Sequence, residues 1–104
     1  MGSRLDFHNI LKEITPNVYY QAPTNIIMKY PCIKYSRNSI NNKYGSDEVH
    51  IQNRSYTVVV MDYNPDSEIV DKISKLKYCR HTQHYVVNGL NHDIFNIYFW
   101  SLRR

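Results

Sequence analysis

The stretch from Ser55 to Ile69, SYTVVVMDYNPDSEI, constrains the fold more than any other part of this chain. Tyr56 to Met61 are rich in β-branched residues, and their apolar side chains fall on both faces of an alternating strand: Val58 and Val60 on one, Val59 and Met61 with Thr57 on the other. Such a strand belongs in the middle of a sheet, covered by helices or by a partner. A turn follows, and residues 65–76 then read as a helix. Asn64 or Asp66 can cap it, Pro65 suits its first position, and Asp66 and Glu68 favour its positive end. Its apolar face is Ile69, Val70, Ile73 and Leu76, with Lys72, Lys75 and Lys77 toward solvent near the negative end. The strand–turn–helix succession makes the domain mixed α and β. The turn carries no phosphate-binding glycines, no nucleophile elbow and no metal-ligand spacing, so the chain is expected to work through its surface rather than through a pocket.

The remaining elements extend this frame. Phe7, Ile10, Leu11 and Ile14 recur at helical spacing, which predicts a helix over 4–14 with Ser3 as its cap and Pro16 beyond its end. Val18-Tyr19-Tyr20 reads as a short strand ended by Pro23. Residues 30–37 form the next, with Ile33 and Tyr35 on one face and Cys32 and Lys34 on the other. Residues 38–48 are polar and asparagine-rich and read as a flexible loop. Residues 49–62 form a long strand or a bent pair. After the second helix, strands at 81–87 and 93–102 are joined through Asn88-Gly89, a strong hairpin signal because it supplies positive φ at little steric cost. The last strand places Phe95, Ile97 and Phe99 on one face and Ile94, Asn96, Tyr98 and Trp100 on the other. The expected architecture is a single α+β domain spanning 1–104: two helices packed on a largely antiparallel four- to five-stranded sheet, in the order α-β-β-β-α-β-β.

Composition narrows the function. A chain of 104 residues builds one modest core. Ten tyrosines are unusual; they suit strand positions and, because Tyr is amphipathic, protein interfaces. Net charge is +4 at pH 7, with the basic residues spread rather than gathered into an arm. Cys32 and Cys79 form no CxxC pair and are expected to be reduced, buried thiols. No apolar run approaches the length of about 18 residues needed to span a membrane.

The chemistry-bearing residues fail to assemble. Cys79, His81, His84 and His92 are the only cluster with a metal-ligand look, but strand alternation puts Cys79 and His81 on one face and His84 on the other unless a bulge intervenes. Asp62 and Asp66 flank the strand–helix turn, where ending a strand and capping a helix already account for them. Catalytic, cofactor and metal residues are therefore expected to be none, and the protein is not expected to be an enzyme. A small basic nucleic-acid-binding protein is the alternative, since Lys29-Tyr30, Lys34-Tyr35, Arg37, Lys43-Tyr44, Arg54 and Tyr56 interleave cations with aromatics. Neither a recognition helix nor a signature motif accompanies them.

The runs Asn17-Val18-Tyr19-Tyr20-Gln21-Ala22-Pro23, Met28-Lys29-Tyr30-Pro31-Cys32-Ile33-Lys34-Tyr35, Tyr56-Thr57-Val58-Val59-Val60, Asp66-Ser67-Glu68-Ile69, His84-Tyr85 and Leu90-Asn91-His92-Asp93 resemble small proteins of the head–tail gene clusters of bacteriophages of Gram-positive bacteria, in particular tail terminator (tail completion) proteins. The resemblance spans roughly residues 5–100 apart from 38–48, and none of its motifs is catalytic. It implies a virion structural protein of the neck, assembled in the host bacterial cytoplasm. Its subunits would form a six-membered ring that caps the tail tube and meets the head connector or head-closure protein, and the sheath protein if the tail is contractile. A head-closure or adaptor subunit is the alternative within that class. DNA in the channel would be touched without sequence preference. The residues expected at interfaces are Tyr35, Arg37, Asn41, Lys43, Tyr44, Tyr98, Trp100, Arg103 and Arg104. The 38–48 segment is expected to order on assembly.

Overall fold

The central strand expected around Val58 is β3, His50–Asp62, and it is hydrogen-bonded on both sides: to β2, Cys32–Tyr44, and to β5, Leu90–Arg103. The computed structural model describes residues 4–21, 27–44 and 50–103; over 39–44, 50–54 and 99–103 the backbone alone is described. Completing the fold are α1 (Arg4–Ile14), β1 (Val18–Tyr20), α2 (Glu68–Ser74) and β4 (Cys79–Val87). The sheet order is β1-β2-β3-β5-β4. Only β1 and β2 run parallel; the other three pairings are antiparallel. The domain is thus the expected α+β arrangement, in the expected order, with five strands.

Both helices pack on one face of this sheet. Phe7 and Leu11 from α1 and Ile69 and Ile73 from α2 meet Ile33, Tyr35, Tyr56, Val58, Val60, Phe95 and Ile97 in a single core. The strand alternation read from the sequence places these seven sheet residues on the helix side. An aromatic cluster sits at the centre: Phe7 stacks on Tyr56 at 4.5 Å between ring centroids and 13° between planes, and Tyr35 approaches Phe7 edge-on at 5.5 Å. The Tyr56 hydroxyl is buried and has no hydrogen-bond partner, so this tyrosine is held for its ring, at the expense of a desolvated oxygen. On the opposite face Lys34, Thr57, Val59, Ile94 and Asn96 are only half-buried. The expectation of cover on both faces therefore holds for one face of β3, with Met61 beside Cys32 the buried pair on the other.

Three local expectations change. The second helix begins at Glu68, not Pro65, and its cap is Ser67, whose side chain accepts from the Ile69 amide at 3.2 Å. Asn64 and Asp66 lie in the preceding turn. There the Asp62 carboxylate accepts from the Asn64 amide and the Asn64 side chain accepts from the Asp66 amide, and these two successive turns hold 62–66 out of the helix. The helix ends at Ser74 because Lys75 and Leu76 bond three residues back rather than four. The strand expected to stop at Arg37 continues to Tyr44, so residues 39–44 are paired backbone and not loop, with Asn38 a bulge before them. Residues 45–49, like the proposed cap Ser3, lie outside the described residues. The Asn88-Gly89 turn has the expected positive φ at both positions (51° and 78°), but it closes in two residues between Val87 and Leu90, so the strands expected at 81–87 and 93–102 are longer, Cys79–Val87 and Leu90–Arg103.

Candidate assembly surface

The described core positions occupy one end of the sheet, and the register does not stop with them. Beyond the bulge at Asn38, β2 and β3 pair from Ser39 with Ser55 to Tyr44 with His50, and β5 follows from Tyr98 against Ser55 to Arg103 against His50. At about 3.3 Å per residue this three-stranded arm adds roughly 20 Å. It accounts for a molecule 52 Å long but only 26 Å by 21 Å across.

The arm contains most of the residues expected at interfaces. Asn41, Lys43 and Tyr44 lie on its β2 strand, and Tyr98, Trp100 and Arg103 lie on its β5 strand. Arg37 stands at its root and is exposed, as is Tyr98. Arg104 lies outside the described residues. Tyr35 is a correction: it is 1% exposed and cannot meet another chain. Sharing a face with Ile33, it turns inward under α1, where Phe7 and Tyr56 pack on its ring. Tyrosine as a class divides accordingly: Tyr35 and Tyr56 are core residues, whereas Tyr30, Tyr63, Tyr78, Tyr85 and Tyr98 are exposed.

The Tyr35 hydroxyl is instead the hub of a small network. His8 Nδ1 lies 2.7 Å from it and Arg4 donates to it at 3.3 Å. The Arg4 guanidinium also stands 4.4 Å over the Tyr20 ring. With Arg4 donating to the oxygen, the hydroxyl proton is free for a neutral His8 Nδ1 to accept. Partial burial, then the positive charges of Arg4 and Lys12, pull the His8 pKa below its ordinary 6.5. Between the two values the unfolded chain binds more protons, so this contribution to stability is complete above pH 6.5 and is lost as pH falls through the folded-state value. Stability should fall as the pH is lowered from 6.5 through the folded-state value, and His8→Gln, which still offers an acceptor, should flatten that slope. Urea midpoints across the range test it; parallel slopes for the two proteins would refute the assignment.

At the arm's root a polar knot ties three strands. Asn38, the extra residue of the β2 bulge, accepts from the Thr57 hydroxyl at 2.6 Å and donates to Asn96 Oδ1 at 3.3 Å and Ser55 Oγ at 3.4 Å. The sequence offered no sign of this, because a bulge shifts alternation without changing composition.

A second bulge, between His81 and Gln83, places His84 opposite Asp93 while His81 stays opposite Phe95. His81 Nε2 lies 3.1 Å from Asp93 Oδ1, and His84 Nε2 lies 3.3 Å from Asn91 Oδ1. The alternation that separated these histidines in sequence is thereby undone. Even so, among the described residues no three His, Cys, Asp or Glu side chains gather in a way that could hold a metal ion. Both cysteines are free thiols. Burial raises both, pushing Cys32 to about 11, so neither is a ready nucleophile.

One apolar cleft of about 310 Å³ opens beside the root of the arm, lined by Phe7, Ile10, Leu76, Lys77, Tyr78, Ile97 and Tyr98. Tyr78 shapes its lip: with φ +59° it turns the chain from α2 into β4, and its carbonyl accepts from the Tyr98 amide at 3.1 Å. A polar hollow of similar size lies between the start of α2 and β4, lined by Asp66, Ser67, Asp71, His84 and Asp93 among others. No described helix is long and apolar enough to cross a membrane. The sequence matches no protein-family model, and no curated protein matches it significantly.

Proposed function

We propose that this chain is a structural subunit of the neck of a tailed bacteriophage, a tail terminator whose copies form a ring that caps the tail tube and faces the head connector. The observation that supports this reading best is the three-stranded arm. It carries paired backbone well past the core of its own domain, toward whatever lies next to the subunit. A projecting arm and a broader body are different surfaces, and contact between unlike surfaces of identical subunits generates rings when the rotation closes. The exposed tyrosines and the half-buried sheet face are the kind of surface an assembly covers. The net charge of +4 suits a channel that lets DNA pass without reading it.

Mass-resolved size exclusion of the purified chain, alone and with tail tubes, at moderate and high salt tests the proposal. A salt-resistant ring of about six copies, or selective attachment to tube ends, is expected, because apolar and hydrogen-bonded contacts are weakly screened. A chain that ignores tubes and instead binds DNA with steep salt dependence would replace this function with nucleic-acid binding.

A further inference from the structure

We infer that the two outer edges of the arm pair with each other between copies, β5 of one subunit against β2 of the next, so that the arms close into one β-barrel around the ring axis. This deepens the ring assignment above and rests on it. The partners of the arm strands define the edges. β1 covers β2 only at residues 33–35, and β4 covers β5 only over 90–97, with one further bond from the Tyr98 amide to the Tyr78 carbonyl. Past those points, among the described residues, no strand lies on the outer side of β2 over 36–44 or of β5 over 99–103. Backbone groups along such an edge are a template for a further strand. Neither stretch contains a proline or a glycine to spoil the ladder.

Direction selects the pairing. β2 and β5 both lie antiparallel to β3, so both run from the body toward the far end of the arm. In a ring all arms point the same way, and the β5 edge of one copy meets the β2 edge of the next as a parallel pair. Every copy uses both edges, and the last arm closes on the first. A two-fold pairing of like edges would instead point the arms in opposite directions and leave each copy one bare edge. Width selects the position. The sheet has five strands in the body and three in the arm, roughly 24 Å against roughly 14 Å at the usual strand spacing. Arms meet only where the bodies splay apart, which puts the arms nearest the axis. Six copies would supply about 18 strands, a number at which a barrel encloses an aqueous channel.

Cysteine pairs test this in a chain carrying Cys79→Ser. Ser101→Cys is combined in turn with Asn41→Cys, Asn42→Cys and Lys43→Cys. Within one arm β3 stands between these positions and Ser101, a gap of roughly 10 Å that no disulfide spans. A bond between them therefore joins two copies. On oxidation at least one pair should give a ladder of covalent multimers that ends at a closed ring, while each single cysteine stays monomeric on a denaturing gel. Leu102→Pro supplies a second readout. The Tyr98 amide faces away from β3, and alternation turns the Leu102 amide the same way. Proline there spares the β3 ladder and removes a donor from the outer edge alone. It should associate at least about tenfold more weakly than Leu102→Ala by sedimentation velocity, with the two melting alike. No multimers from any pair, dimers of the single cysteines in their place, or Leu102→Pro associating like Leu102→Ala would overturn the inference. So would a wild-type chain that stays monomeric both free and on tubes. The two readings fail separately. Arms that link β5 to β2 in a ring that never caps a tube keep the barrel and lose the tail function. Rings that cap tubes without the link keep the function and lose the barrel.

Discussion

Phe7→Ala is expected to lower the stability of the folded domain by about 3–5 kcal/mol. Phe7 is 1% exposed, and it is the point where α1 grips the sheet through the stack on Tyr56 and the edge contact with Tyr35. Its removal forfeits the transfer free energy of a buried ring. It also leaves a cavity that the surrounding strands, hydrogen-bonded on both sides, close poorly. Phe7 lines the apolar cleft as well, so the new void joins an existing opening and admits water next to the unpartnered Tyr56 hydroxyl. A small domain has a total stability of about 5–15 kcal/mol, so the variant should be partly unfolded at modest urea concentrations. A loss below about 1 kcal/mol, measured by urea titration, would mean that α1 is not integral to the core.

Gln52→Pro should have the second largest effect, and it should separate the arm from the body. Gln52 lies in the middle of the arm's central strand, paired with Asn42 on one side and Ser101 on the other. Proline there removes an amide from the ladder and forces the backbone locally, a cost of about 3 kcal/mol or more. That cost falls on the arm. The core residues from Ile33 to Tyr35, Tyr56 to Val60 and Phe95 to Ile97 lie on the far side of the Asn38 knot. The domain should therefore melt close to wild type while association weakens at least about 100-fold, as a shift of that size in the docking-competent arm implies. Parallel thermal melts and sedimentation measure both. Intact assembly in this variant would remove the arm from the interface.

How much of this was legible in the sequence depended on whether alternation ran unbroken. Phe7, Ile10, Leu11 and Ile14 gave α1 its bounds, and Val58, Val60, Phe95 and Ile97 announced their inward face, because period and burial agree in those stretches. Asn88-Gly89 specified its turn because two consecutive positive φ values admit few other pairs. The arm was misread for a physical reason. Strand pairing satisfies backbone groups whatever the side chains, so residues 38–44 could be asparagine-rich and still be strand, held by their neighbours rather than by their own preference. The cap of α2 was misplaced because Asp62, Asn64, Asp66 and Ser67 all have capping chemistry, and only the turns formed by the first two leave the role to Ser67. The cleft left no signature at all. Its lining joins α1, the α2–β4 turn and β5, which only tertiary packing brings together.

The sheet order also sets a timetable for folding. β2 with β3, and β4 with β5, are hairpins whose strands are neighbours in sequence, and each can form early from local contacts. Joining them requires β5 to close on β3 across all of α2. The cheapest closure is at Asp62 with Asn91, where the separation along the chain is smallest, and Asn91 is already fastened there by side-chain bonds to the Asp62 and Tyr63 carbonyls. Zipping then runs outward, each further pair lying farther apart in sequence, until His50 meets Arg103. The third strand of the arm is thus the last to be laid down. The strands that project beyond the core are completed only after the interior of the domain is.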